Sequence, residues 1–399
     1  MKRLIKICFD TTIFSFVPIL SWIALGLLVE SNLINVFTLT YPFQFLYLVL
    51  KSIFAVGPNI YMEKHHDKNA VMSSMILGVI VGFFIFGFII FNIDKYIMFM
   101  NMEVSIYHNF ALYSVFQLYI QLIFSFILQK LYYENRNNLA NKYTIIFNLL
   151  NFIVLMTSSI LFKSQIVIIL ITLISISLYV AYILIKEFNR FSFSFHLFSF
   201  IKYDCVDIYD NIFFFIIYLF GISNVISFGN DYMMAMNFIT LITDMQWDGF
   251  DSISTVAKID ISRGCFNYKQ HRKNAYKLLI ILLMSILVLF ITMFSYNELN
   301  IKLVLIYLLF ELVLFLIYPI YRIKICFLQL EYSSFITTSN RSITSVLRTL
   351  LSFLPTPFCT SIGQLVSSVY QFTAINTLFH INYKIAKSGV VKNKNSNFD

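Results

Sequence analysis

Apolar runs of about 20 residues, each long enough to cross a bilayer, follow one another along nearly the whole of this chain. They cover residues 8–29, 33–60, 70–92, 106–130, 143–162, 165–186, 205–228, 232–257, 277–296, 300–321, 342–357 and 360–383. In a membrane every backbone polar group must be satisfied within its own segment, so each run is expected to be a helix. Of the 399 residues 59% are hydrophobic and 12% charged, against about 25% charged in soluble domains. The fold class expected is an all-α polytopic membrane protein with the lipid bilayer as its main partner.

The net charge of +9 does not call for nucleic acid, because the basic residues cluster in alternate connections. With the N-terminus inside, the inner connections and termini carry 24 of the 29 Lys and Arg. The outer side carries Lys95, Lys163 and Lys302, and Lys51 and Arg348 fall inside spans. This asymmetry follows the positive-inside rule for twelve spans with both termini cytoplasmic. The expected location is a bacterial cytoplasmic membrane. Outer turns are short, as at Ser31-Asn32, Lys163-Ser164, Gly229-Asn230-Asp231 and Pro355-Thr356-Pro357.

A weak repeat runs at an offset near 200 residues. Asp10 and Phe14 match Asp210 and Phe214; Leu128-Gln129 and Tyr132 match Leu328-Gln329 and Tyr332; Arg348 corresponds to Asn148. Six spans per half is an even number, so the halves run parallel about a pseudo-two-fold axis along the membrane normal. The expected organisation is a six-helix lobe over 1–186, a cytoplasmic linker over 187–204, a second six-helix lobe over 205–384 and a tail over 385–399. Phe191, Phe193, Phe195, Phe198 and Phe200 would lay the linker on the inner leaflet.

Intramembrane charge marks the candidate site, because an ionisable group at that depth needs a cavity or a partner. Asp244, Asp248 and Asp251 are spaced i, i+4, i+7 and share a helix face, which Asn237 and Thr255 extend. The preceding span enters with Asp204, Asp207 and Asp210. Glu311 and Arg348 lie mid-span and are expected to pair with each other or with these carboxylates, while Glu30 ends the first span. Such a face suits a proton or sodium ion, or a cationic substrate. Lys51 and Arg348 are the only basic residues expected at depth. Phosphate loops, GxSxG, CxxC and HExxH motifs are absent, so no soluble-enzyme chemistry is expected, and no cofactor beyond a coupling ion, H⁺ or Na⁺.

Three stretches resemble the multidrug and toxic compound extrusion (MATE) family, within the superfamily that includes polysaccharide and lipid-linked oligosaccharide flippases. They are Pro18 with Val29-Glu30; Asn237 to Asp260, with Trp247-Asp248 and Thr255-Val-Ala-Lys-Ile-Asp260; and Arg348 to Gln364, with Pro355, Pro357 and Gly363. The chain departs from the family in having Glu30 for the first-helix Asp, and Asn32 to Thr40 where a glycine-rich pattern is usual. The resemblance implies a monomeric, cation-coupled antiporter for multidrug efflux, exporting small organic cations, with Asp210, Asp244 and Asp248 as the better coupling candidates. Two alternatives stand beside it. One is a flippase for a lipid-linked sugar, which would want basic residues for a diphosphate. The other is a membrane-embedded prenyl or sugar transferase using the Asp-rich stretches 204–210 and 248–251.

Overall fold

The computed structural model describes residues 2–29, 33–65, 68–162, 164–187, 197–293, 300–332 and 334–387. Glu30, Ser31-Asn32, Lys163, linker residues 188–196 and tail residues 388–399 lie outside them, so the role expected of Glu30 and the membrane contact of Phe191, Phe193 and Phe195 are not described. The end of the expected linker, from Leu197, is already helix, and Phe200 is fully buried 5.3 Å from the Tyr61 ring rather than laid on the leaflet.

The described residues form helices and no strand. The first half contains α1 (Lys2–Leu28), α2 (Ile34–Lys51), α3 (Gly57–His65), α4 (Lys68–Phe91), a short α5 (Ile93–Phe99), α6 (Val104–Tyr133), α7 (Asn137–Leu161) and α8 (Gln165–Glu187). The second half contains α9 (Leu197–Ser227), α10 (Asn230–Ser262), α11 (Tyr268–Met293), α12 (Ile301–Phe327), α13 (Ser334–Ser352) and α14 (Cys359–Lys387). A π-helical turn, Ser52–Val56, joins α2 to α3, and another, Leu328–Tyr332, extends α12.

Each expected span therefore coincides with a helix, with two differences. The span expected at 342–357 is a helix over Ser334–Ser352, because Pro355 and Pro357 follow it and cannot continue a helix. Several rods also outrun their apolar cores, since helix α10 continues through Lys258 to Ser262. Among the described residues, seven rods are long and apolar enough to cross a membrane by length and composition: α2–α3, α4, α6, α7, α8, α9 and α12. Their apolar faces are open; Phe84, Phe88, Leu178 and Leu309 are all exposed, as lipid contact requires.

Helix packing repeats between the halves. The contacts of α1 with α7, α2 with α6, α6 with α8 and α7 with α8 recur as α9 with α13, α10 with α12, α12 with α14 and α13 with α14. The halves meet through a matched pair of contacts, α1 on α10 and α2 on α9. Polar contacts cross this junction at the N-terminal end of α1: Arg3 Nη1 reaches Asp260 Oδ1 at 3.0 Å, Arg263 Nη2 reaches Glu63 Oε1 at 2.8 Å, and Lys64 Nζ donates to the Leu330 carbonyl at 3.1 Å.

Close approach between the halves needs a residue without a side chain at Gly57. A Cβ there would lie 2.5 Å from the Phe200 carbonyl oxygen and 3.3 Å from that of Ser52, both rigid backbone atoms. Small residues let membrane helices pack closely in this way. At Gly87 a Cβ meets nothing within 4 Å. Gly57→Val is expected to cost about 1–3 kcal/mol by overpacking and to lower the thermal midpoint in detergent, while Gly87→Val leaves it unchanged.

Candidate functional site

Two connected cavities, of about 100 Å³ and 160 Å³, lie along the junction of the halves. Both are lined by Lys51, Asp244, Asp248 and Asp251. The first extends among α1, α2 and α6, past Asp10, Gln44, Gln117, Gln121 and Tyr132. The second extends among α9, α10, α12 and α13, past Asp204, Asp207, Asp210, Lys258, Arg322, Arg341 and Arg348.

The i, i+4, i+7 spacing on α10 places its three carboxylates together on this junction, as expected of one helix face. Asp244, 7% exposed, accepts a hydrogen bond at 3.0 Å from the Tyr41 hydroxyl of α2, so it touches the opposite half directly. Asp248 is half-buried and lines both cavities. Asp251 accepts from the Tyr318 hydroxyl at 3.5 Å and stands 3.8 Å from Arg322 Nη2. Asn237 lies further along α10 and does not line either cavity; its Nδ2 donates to Asn35 Oδ1 at 2.9 Å, another contact between the halves.

The carboxylates of α9 are neutralised. Asp204, fully buried, sits at a break in the helix, with φ −131° and ψ 20°. Lys258 of α10 bridges Asp204 and Asp207, Arg322 Nη2 of α12 reaches Asp207 Oδ1 at 2.7 Å, and Arg341 of α13 pairs with Asp210. Arg341 also donates to Gln371 of α14. A buried charge survives only with such partners, and each of these three aspartates has at least one.

Glu311 and Arg348 do not pair with each other. Glu311 Oε2 accepts from Trp247 Nε1 at 2.9 Å and stands behind that indole, outside the cavity lining. The indole packs against Phe315 and Tyr318, with centroids 4.9 Å and 4.8 Å away. Arg348 lines the second cavity and is 6% exposed. Its guanidinium donates to Ser367 Oγ at 2.9 Å and Ser368 Oγ at 3.5 Å, and lies 4.4 Å from the Phe214 ring centre, a cation–π contact.

Lys51 and Arg348 are not the only basic residues at depth. Lys258, Arg322 and Arg341, counted by sequence with the connections, also line the cavity. A signal for them was present. Lys258 continues the Asp244–Asp251 stripe at i+14, Arg322 follows Glu311 at i+11, and Arg341 precedes Arg348 by seven residues. Each lies on a helix face already marked by a charge.

Removing the cation at the centre of this network leaves two buried carboxylates facing each other. Lys258→Met is expected to cost about 3–5 kcal/mol and to lower the thermal midpoint, and adding Asp204→Asn, which leaves Asp207 to Arg322, should restore most of the loss.

No family model matches the chain, and no curated protein is similar to it by sequence. Solved structures are similar in fold. A MOP superfamily transporter from Pyrococcus furiosus, described as having a binding pocket of reverse polarity, is 14% identical, with a TM-score of 0.68 over 95% of this chain and 96% of that one. A multidrug resistance MATE family transporter in an outward-facing conformation is 15% identical, with a TM-score of 0.72 over 97% and 96%. A MATE transporter in its straight conformation is 16% identical, with a TM-score of 0.65 over 96% and 97%. The chain therefore has the fold of the MATE transporters of the MOP superfamily.

Proposed function

We propose that this protein is a secondary exporter of the bacterial cytoplasmic membrane, working as a monomer, in which H⁺ or Na⁺ binding to the α10 carboxylates drives an organic substrate outward through the cavity between the halves. The observation that carries this reading is Asp244. It lies on the cavity, and its hydrogen bond comes from Tyr41 of the other half. An ionised carboxylate accepts that bond strongly. A bound cation competes for the same oxygens and weakens the contact. Occupancy of the site would then bias the two halves between arrangements, which is what coupling requires. With Asp248 and Asp251 beside it, the same face would hold an organic cation when the coupling ion has left.

Gradient-driven uptake of ethidium into inside-out vesicles tests this. Wild type should accumulate the dye under a proton or sodium gradient. Asp244→Asn should reduce uptake at least about tenfold, a loss within the range of ordinary site-to-site coupling, without changing the thermal midpoint. Undiminished uptake in Asp244→Asn and Asp248→Asn would overturn the proposal.

A second reading is favoured by Arg348. Its guanidinium is held by serine hydroxyls and a ring face rather than by a carboxylate. Together with Lys51 it offers positive charge to a diphosphate, as a lipid-linked oligosaccharide would present. On this reading the vesicles show no dye movement, whereas reconstituted protein flips a fluorescent diphosphate lipid and Arg348→Ala stops it.

A further inference from the structure

Several cations at the end of the bundle that holds the N-terminus of α1 have carboxylate partners. Arg3 pairs with Asp260, Arg263 with Glu63, and Arg136 with Glu134 and Glu187. The start of α11, at the same end, is different. Lys269, Arg272, Lys273 and Lys277 are all exposed there, and none of them forms an ion pair among the described residues. The carboxylate contact made from this turn comes from His271 on the buried side, whose Nε2 lies 3.2 Å from Asp260 Oδ2.

The four cations are spaced i, i+3, i+4, i+8 and share one helix face. Tyr276 stands among them, and the same face continues as Ile280, Met284 and Leu287, each more than half exposed. From Lys277 to Leu287 the helix rises about 15 Å, half of the ~30 Å hydrocarbon core of a bilayer. This face is therefore positive at headgroup level and apolar through the depth of one leaflet.

Further positive charge lies behind it. Lys324 of α12 is 5% exposed and meets no carboxylate among the described residues. Its Nζ donates to Asn376 of α14 and lies 5.7 Å from the Tyr268 ring centre and 5.3 Å from that of Phe379. Arg272 lies 5.8 Å from the centre of the same Tyr268 ring, which itself packs on Phe379 of α14 at 4.8 Å. Ring faces attract a cation but do not neutralise it. A free anion would meet these charges and leave the apolar stripe bare, and a neutral lipid would do the reverse. An amphiphile with an anionic head satisfies both.

We propose that this end of α11 binds an anionic phospholipid of the cytoplasmic leaflet, with its phosphodiester held by Lys269, Arg272, Lys273 and Lys277 and its acyl chains lying along Ile280, Met284 and Leu287. The lysine stems lie against the chains while their ammonium groups reach the headgroup, and Tyr276 sits at the interface. Basic clusters at the cytoplasmic end of a membrane helix recognise anionic lipids in this way. Because α11 packs on α10 and α12, a lipid bound there backs the helix that carries Asp244, Asp248 and Asp251 and stabilises the second half by mass action. None of the four cations lines either junction cavity, so the site does not depend on what those cavities carry.

Native mass spectrometry of the full chain, delipidated in detergent and titrated with phosphatidylglycerol or phosphatidylcholine, tests this without any transport. The wild type should retain phosphatidylglycerol in preference to phosphatidylcholine, and its thermal midpoint should rise with phosphatidylglycerol alone. Each cation near an anionic headgroup contributes about fivefold in affinity, so Lys273→Gln,Lys277→Gln should weaken phosphatidylglycerol binding about thirtyfold. Both side chains are exposed, so the lipid-free thermal midpoint should stay at the wild-type value. Lys2→Gln,Lys142→Gln removes the same charge from exposed positions of the first half and should leave binding unchanged. Unweakened binding in Lys273→Gln,Lys277→Gln, or equal weakening in Lys2→Gln,Lys142→Gln, would overturn the proposal. So would equal retention of phosphatidylcholine, or displacement of the lipid by equimolar inorganic phosphate.

Discussion

The bridge from Lys258 to Asp204 and Asp207, extended by Arg322, is the interaction on which the second half depends. Charges in an apolar interior carry a desolvation cost that only close partners offset, and here the partners come from three helices, α9, α10 and α12. Each helix is held in register by the others, and none can leave without stranding a charge. The break in α9 at Asp204 lets that carboxylate turn to Lys258 while the rest of the helix continues along α2. Because α9 and α10 are also the helices that touch the first half, this network sets the shape of the cavity wall that the first half closes against.

Neutralising the α9 aspartates also separates two kinds of carboxylate. Asp204, Asp207 and Asp210 are matched by Lys258, Arg322 and Arg341, and these groups have little to gain from an incoming ion. Asp244 has a tyrosine hydroxyl from the opposite half, and Asp10 has a tyrosine hydroxyl and an amide. Those partners are neutral donors rather than cations. The two halves keep the same helix packing but not the same charges, with Asn141 and Asn148 standing where the second half has Arg341 and Arg348. The shared packing pattern carries an ion pair at Asp210 in the second half and a neutral amide at Asp10 in the first.

Much of this was legible in the sequence. Apolar runs marked the helices because a bilayer allows few other structures, and the α10 stripe was visible as helical spacing of carboxylates. The offset between Asp10 and Asp210 was visible too. What was not legible was depth. Hydropathy ends a span at the first cluster of charges and so assigns Lys258, Arg322 and Arg341 to connections, although the helices carry them on into the interior. The pairing of Glu311 and Arg348 failed for a related reason. Both lie mid-span, but Glu311 faces the Trp247 indole and Arg348 faces Ser367 and Phe214, and facing depends on helix rotation rather than on depth. The helix over Ser334–Ser352 was misplaced because it is too polar to register as a span.

The central claim is that cation occupancy of the α10 face changes how the two halves meet. Spin labels at exposed positions 134 and 270, one on each half, would report the distance across the junction in nanodiscs. The account predicts a distance distribution that shifts with pH or with Na⁺ in the wild-type protein and stays fixed in Asp244→Asn,Asp248→Asn. The same shift in the doubly substituted protein would contradict it.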